Sequence, residues 1–285
     1  MAALAAILFV TSAHAITLDN GDLAYQPDGT MLGVLYQHYF SGDELYAKGQ
    51  KISDNAKLTV DVTMLRGVWY RDWGESVGIV PQFLLPIGKA RTGGALSAVD
   101  STNGAGDLLL VLPIHFIKDP TGQDAKPLIF WLWLPTGHYD KSRGLNPFAE
   151  NRWKFAVQTG RMWKVGEKLS LEVSGDAQIH GDNDDFSPAG VTMKQNTLWE
   201  AQAHLRYLLG ATTFFGALVS HSKGGETRLN DVAQDDRQKR SKVLFSVGHM
   251  LTPKTQLIAS VGQDLSIRTG VKEDKRFNLR LLRFF

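Results

Sequence analysis

Apolar and polar side chains alternate along much of this chain, and the alternation has a period of two. Leu169, Leu171, Val173, Gly175 and Ala177 take one face of a segment whose other face is Ser170, Glu172, Ser174, Asp176 and Gln178. Trp199, Ala201, Ala203, Leu205 and Tyr207 alternate in the same way with Glu200, Gln202, His204 and Arg206. A helix would spread those four polar residues around its circumference, whereas a strand gathers them on one side. Leu58, Val60, Val62 and Met64 alternate with Thr59, Asp61 and Thr63, and a first strand is expected over Met31–Phe40. Leu257, Ala259 and Val261 continue the pattern less regularly near the end. The last nine residues, Phe277 to Phe285, set Phe277, Leu279, Leu281 and Phe285 on one face. Asn278 and Arg280 lie on the other, beside Leu282 and Phe284.

The connections between these segments alternate short and long. Residues 72–75, 164–167, 209–212 and 252–255 are tight turns, and residues 119–125 form a middle-length turn in a short slot. Residues 41–56, 89–103, 137–150, 181–195 and 222–239 are long, polar and charged. Up-and-down outer-membrane barrels have this asymmetry, with short periplasmic turns and long outer loops. A soluble sandwich has no reason to place every long loop at one end. The expected fold is therefore an all-β, transmembrane, up-and-down antiparallel barrel of about twelve strands. The greasy side of each segment is expected to meet hydrocarbon and the wet side to face an enclosed interior. Residues 16–30, polar and Gly-rich, are expected to be a periplasmic lead-in. Trp69, Tyr70, Trp73, Trp153, Trp163 and Tyr207 suit girdles at the membrane interfaces.

Composition agrees. A hydrophobic fraction of 43% is too low for a helical membrane protein, and Pro127 and Pro135 bracket the longest apolar run. It suits a barrel in which only alternate residues meet lipid. The absence of cysteine excludes disulfides and thiolate metal sites, and a formal charge of +2 gives no sign of a nucleic-acid partner. Residues 1–15, with an apolar centre and the ending Ala13-His14-Ala15, are expected to be a signal peptide cleaved near Ala15. Residues 16–285 would then be the barrel.

Two blocks resemble a known family. Residues 104–113 with Phe116-Ile117-Lys118-Asp119, and residues 134–140 with Leu145-Asn146 and Glu150-Asn151-Arg152-Trp153, are similar to the signatures of the MetA-pathway of phenol degradation proteins. Residues 181–185 are similar to that family's acidic loop, and the likeness runs from about Tyr25 to Phe285. The resemblance implies a bacterial outer-membrane barrel that moves apolar or aromatic, phenol-like compounds inward. It also implies partners in outer-membrane lipid and in the assembly machinery that reads a terminal Phe, here Phe285.

Alternation assigns the lumen to Asp61, Lys154, Gln158, Glu172, Asp176, Glu200, Gln202, His204, Arg206, Asp264, Asn278 and Arg280. Such charges can form a lattice that stiffens or plugs the barrel, or line a solute path. A transport barrel and a plugged structural or surface-interaction barrel thus both remain open. A lipid-acting membrane enzyme is the weakest reading, since no serine is placed with a histidine and an orienting group at interpretable spacing. Asp182 to Asp185 lack the glycine and final glutamate of an EF-hand, and the remaining histidines are scattered. No cofactor or metal is expected.

Overall fold

The computed structural model describes residues 16–116 and 124–285. The expected signal peptide and residues 119–123 of the middle-length turn lie outside the described residues. Twelve long strands follow one another in order. They are β1 (Met31–Gly42), β2 (Ala56–Trp69), β3 (Gln82–Gly94), β4 (Leu108–His115), β5 (Pro127–Leu134) and β6 (Lys154–Lys164). Then come β7 (Leu169–His180), β8 (Leu198–Leu208), β9 (Thr213–Gly224), β10 (Gln238–Thr252), β11 (Thr255–Ile267) and β12 (Lys275–Phe284). Each pairs antiparallel with its neighbours in sequence, and β12 returns to β1 from Leu32 opposite Phe284 to Ser41 opposite Lys275. The sheet is closed, so no spanning strand leaves a row of bare N–H and C=O groups in lipid. No described residue is helical.

The terminal strand shows why closure suits this sequence. Phe277, Leu281 and Phe285 are exposed on the outer wall, while Arg280 and Leu282 are buried within. The same division runs through β7 and β8. There Val173, Trp199 and Leu205 face out, and Ser174, Asp176, Glu200 and Gln202 are buried inside. Short turns gather at one end and long loops at the other. The loops add two small sheets above the barrel, one of Asn183–Phe186, Val191–Gln195, Thr227–Leu229 and Val232–Ala233. The other joins Leu45–Ala47, Gln50–Ser53 and Gly270–Val271.

Three expectations need correction. In β2 the apolar face points inward: Val62 and Met64 line the interior, and Leu58 and Val60 pack with Phe40, Leu45, Ala56, Ala90, Leu96, Leu145 and Val271. Asp61 therefore lies on the outer wall, where its carboxylate accepts a hydrogen bond from Arg91 Nη1 at 2.6 Å. At this end the strand rises toward the loops, so water meets its outside and folded-over loops cover its inside. Tyr70 is not a girdle residue but is buried against Tyr25, with ring centroids 5.6 Å apart. Residues 16–25 are no periplasmic lead-in, although Pro27, Asp28 and Gly29 beyond them are exposed. Ile16, Leu18, Leu23, Ala24 and Tyr25 are buried inside the barrel.

The loop end is tied by one carboxylate. Glu273, 2% exposed, accepts from Arg276 Nε at 2.7 Å and Arg240 Nη1 at 3.1 Å, with Lys242 Nζ at 3.0 Å. Burial alone would raise this carboxyl, but Arg276 and Lys242 outweigh it and hold the group well below its ordinary 4.5. A depressed carboxylate contributes stability that is complete above the unfolded value and disappears as pH falls below it. Thermal stability in detergent should thus be flat from pH 8 to about 5 and fall below about 4.5. Glu273→Ala, which strands Arg276 and Lys242 and leaves Arg240 with Asp264 at 3.5 Å, should cost about 3–5 kcal/mol and remove that acid-dependent loss. A variant as stable as the parent by denaturant titration would refute the tie.

Candidate functional site: the divided lumen

The site is the barrel interior, and the N-terminal segment organises it. Asp22 N donates to Asp19 O and Ala24 N to Gly21 O, both at 3.1 Å, so the chain turns on itself. Gly21 sits at φ +91°, a region that favours glycine. The apolar side of the segment (Ile16, Leu18, Leu23 and Ala24) packs on a wall of Leu84, Val111, Ile129, Trp131, Trp133, Ala156 and Met162 from β3 to β6. Its polar side faces β7 and β8. Leu18 N donates to Gln202 Oε1 at 3.0 Å, and Gln202 Nε2 donates back to Ile16 O, so one side-chain amide brackets the backbone as a strand would. Gly21 N donates to Glu172 Oε1 at 2.8 Å and Asn20 Nδ2 to Ser246 Oγ at 3.2 Å.

Ion pairs fix the tip. Asp22 lies 3.2 Å from Arg66 Nη1 and 2.9 Å from Arg280 Nη1, and Arg280 also meets Asp19 at 3.3 Å. Arg66 Nη1 donates to Tyr36 Oη at 2.8 Å as well. Below, Tyr25 Oη donates to Asp72 Oδ1 at 2.6 Å, and its ring lies where a Cβ on Gly78 would stand, 2.2 Å away. Arg66 and Arg280 are thus balanced by the inserted segment and not by a neighbouring strand.

That segment divides the interior in two. A cavity of about 280 Å³ opens on the loop side and one of about 260 Å³ on the turn side, and Asn20, Asp22 and Arg66 border both. The loop-side cavity is two-faced. Leu84, Leu109, Trp131, Trp133 and Phe148 form an apolar wall, while Ser220, Ser222, Arg240, Lys242 and Arg276 lie on strands across from it. Trp131 and Trp133 stack with centroids 6.1 Å apart; Trp131 Nε1 donates to Gln158 Oε1 at 3.2 Å, and Lys154 Nζ sits 5.0 Å over the Trp133 ring. Glu150, in the loop before β6, accepts from Lys154 Nζ and from Arg152 Nε at 2.9 Å. Burial would raise Glu150, yet Lys154 and Arg152 hold it far below its ordinary range, so it stays charged.

The twelve residues assigned to the lumen from sequence fall into four places. Lys154, Glu200, His204 and Asn278 line the loop-side cavity. Arg206 and Arg280 line the turn-side one. Gln158, Glu172, Asp176, Gln202 and Asp264 are buried without bordering either: Glu172 and Gln202 grip the segment, Asp176 accepts from Gln158 and Gln178, and Asp264 accepts from Glu273 N. Asp61 is outside. Sequence reasoning missed the apolar half of the lining, although β5 carried a signal. Pro127–Leu134 is apolar on both faces, which in a strand means both sides meet apolar surroundings.

The family profile described as "Putative MetA-pathway of phenol degradation" matches residues 41–281. The chain belongs to this family. The crystal structure of an outer membrane channel from Pseudomonas putida F1 is 34% identical, with a TM-score of 0.91 over 94% of this chain and 100% of that one. Asp107 and Leu109 of the first signature block and Glu150 of the second border the loop-side cavity. The β domain of the Bordetella autotransporter BrkA (11% identity, TM-score 0.57, 91% of this chain and 100% of that one) shares the fold. So does the CymD monoaromatic hydrocarbon channel (8%, TM-score 0.51, 91% and 89%). No curated protein matches the chain. The protein is an outer-membrane β-barrel of twelve strands.

The grip of the segment can be tested directly. Asp22→Ala leaves Arg66 and Arg280 without their shared acid, and should raise ion conductance in planar bilayers and speed hydrogen exchange at Leu18 and Gly21. The barrel itself should keep its heat-modifiable gel mobility. Unchanged conductance and exchange would mean that apolar packing alone holds the segment.

Proposed function

We propose that the barrel is a channel for passive uptake of small apolar or aromatic, phenol-like molecules, with no cofactor. The observation that carries this reading is the loop-side cavity, whose tryptophan and leucine wall faces hydroxyls and cations. Ligand pockets combine apolar lining with a few placed polar groups in the same way, and ~300–1,000 Å³ is usual for drug-sized ligands. A cavity of about 280 Å³ therefore suits a molecule of one ring. A phenol could lay its face on Trp131 and Trp133 and turn its hydroxyl to Ser220 or Ser222. The onward path would run past the segment to the turn-side cavity, where Leu282 and Phe284 supply apolar surface. Membership of a family described by phenol degradation favours this solute class. Export by a leader cut near Ala15 and recognition of Phe285 by the assembly machinery belong to the same reading.

One observation favours a second reading. The segment fills the middle of the lumen and is hydrogen-bonded to it on several strands, as in a barrel whose interior is closed and whose outer loops do the work. Proteoliposomes separate the two. Under the channel reading, phenol should enter vesicles holding the protein faster than empty ones. Replacing Trp131 and Trp133 with alanine should slow entry, with folding checked by gel mobility. Equal entry with and without protein, even after Glu172, Glu200 and Arg206 are changed to alanine, would leave the closed barrel.

A further inference from the structure

The outer wall carries a charge arrangement that neither the lumen nor the family description uses. Three levels stand one above another near the loop ends of β8 to β11. In the top level Trp199 lies opposite Lys223, and Lys223 lies opposite Lys239. Arg268 is next, its N–H bonded to Lys239 O at 2.9 Å. These residues share the outward parity of their strands, because Leu198, Ser222, Gln238, Arg240 and Ile267 are all turned inward or buried. Arg237, two residues before Lys239, is exposed beside them.

Two lysines directly opposite each other on neighbouring strands repel and destabilise the pair. Lys223 and Lys239 are both exposed, and among the described residues neither ammonium has a carboxylate partner. Asp235, the acid that Arg268 meets at 3.4 Å, is shared with Lys48 at 2.6 Å. With strands about 4.8 Å apart, the three cations span a width of about 10 Å and are short of anions.

What lies beneath them decides which anion fits. The second level is polar over β9 and β10, with His221 Nδ1 2.8 Å from Ser241 Oγ and Ser266 opposite Ser241, and Leu265 is exposed beside Ser266 at the bulge in β11. Below it the apolar belt begins, with exposed Val219 opposite Val243 and then Gln263, and exposed Phe245 opposite Val261 one pair further down. A ligand lying on this wall thus meets hydrocarbon-facing side chains, then a polar step, then a cationic row flanked by an exposed indole. That is the profile of an amphiphile with acyl chains below and phosphate above, and indoles favour the headgroup level. A soluble anion would have no use for the lower two levels. We propose that Lys223, Lys239 and Arg268 form a binding site for the phosphate-bearing headgroup of an outer-leaflet glycolipid.

The test uses the full-length protein in detergent and native mass spectrometry. The probes are a bis-phosphorylated glycolipid, its enzymatically dephosphorylated form, and inorganic phosphate. The parent should retain the phosphorylated lipid in preference to the dephosphorylated one. Lys223→Gln with Lys239→Gln should weaken that binding about 30-fold, which corresponds to ~1 kcal/mol for each cation at an anionic surface. Lys223→Arg with Lys239→Arg should preserve it. Equal retention of the two lipids by the parent would overturn the site, and needs no variant to fold. Unchanged binding by the glutamine variant would overturn it too. Displacement of the lipid by millimolar inorganic phosphate would show a general anion site in place of a lipid one.

Discussion

Everything in this molecule depends on ring closure. In hydrocarbon an unpaired backbone N–H or C=O costs several kcal/mol, and only the return of β12 to β1 removes the two edges that a twelve-stranded sheet would otherwise leave. Closure also explains how β12 can be apolar on its outer face without an open edge. Leu281 lies between Leu35 of β1 and Leu257 of β11, paired on both sides. Once closed, the sheet encloses a space too wide for its own side chains to fill, and the rest of the structure answers that condition.

The answer is an inserted segment. Residues 16–24 fill the middle of the barrel with apolar side chains toward β3–β6 and polar groups toward β7, β8 and β12. The two walls of the lumen differ in chemistry to the same pattern. Aromatic and leucine side chains face the greasy flank, and carboxylates and amides face the backbone donors. This asymmetry survives above the segment as a cavity with an aromatic side and a cationic side. An interior made only of salt bridges would favour ions and exclude rings; an interior made only of leucine would hold rings and release them poorly. The combination suits a weakly polar aromatic molecule in transit.

Most of the fold was legible because it rests on two local signals. Strict alternation gave β7, β8 and β12 with the correct inward faces, and the short–long rhythm of connections gave the count and put the long loops at one end. Both follow from the pleat and from the bilayer, and neither needs distant contacts. The reading failed where the surroundings were not lipid outside and water inside. In β2 the loops fold over the barrel mouth, so Leu58 and Val60 turn inward and Asp61 outward. At Tyr70 the inserted Tyr25 offers a buried partner.

The sequence by itself therefore determined that this chain spans a membrane as a closed barrel, which end carries the loops, and which side of most strands is wet. Only the tertiary structure decided where residues 16–30 go, because Asp19, Asp22 and Gly21 find Arg280, Arg66 and Glu172 across separations that no local pattern encodes. It also decided that one lumen wall is apolar. Hydrophobicity along a strand states how much water a face avoids; it does not state whether lipid, a loop or the chain's own N-terminal segment provides the cover.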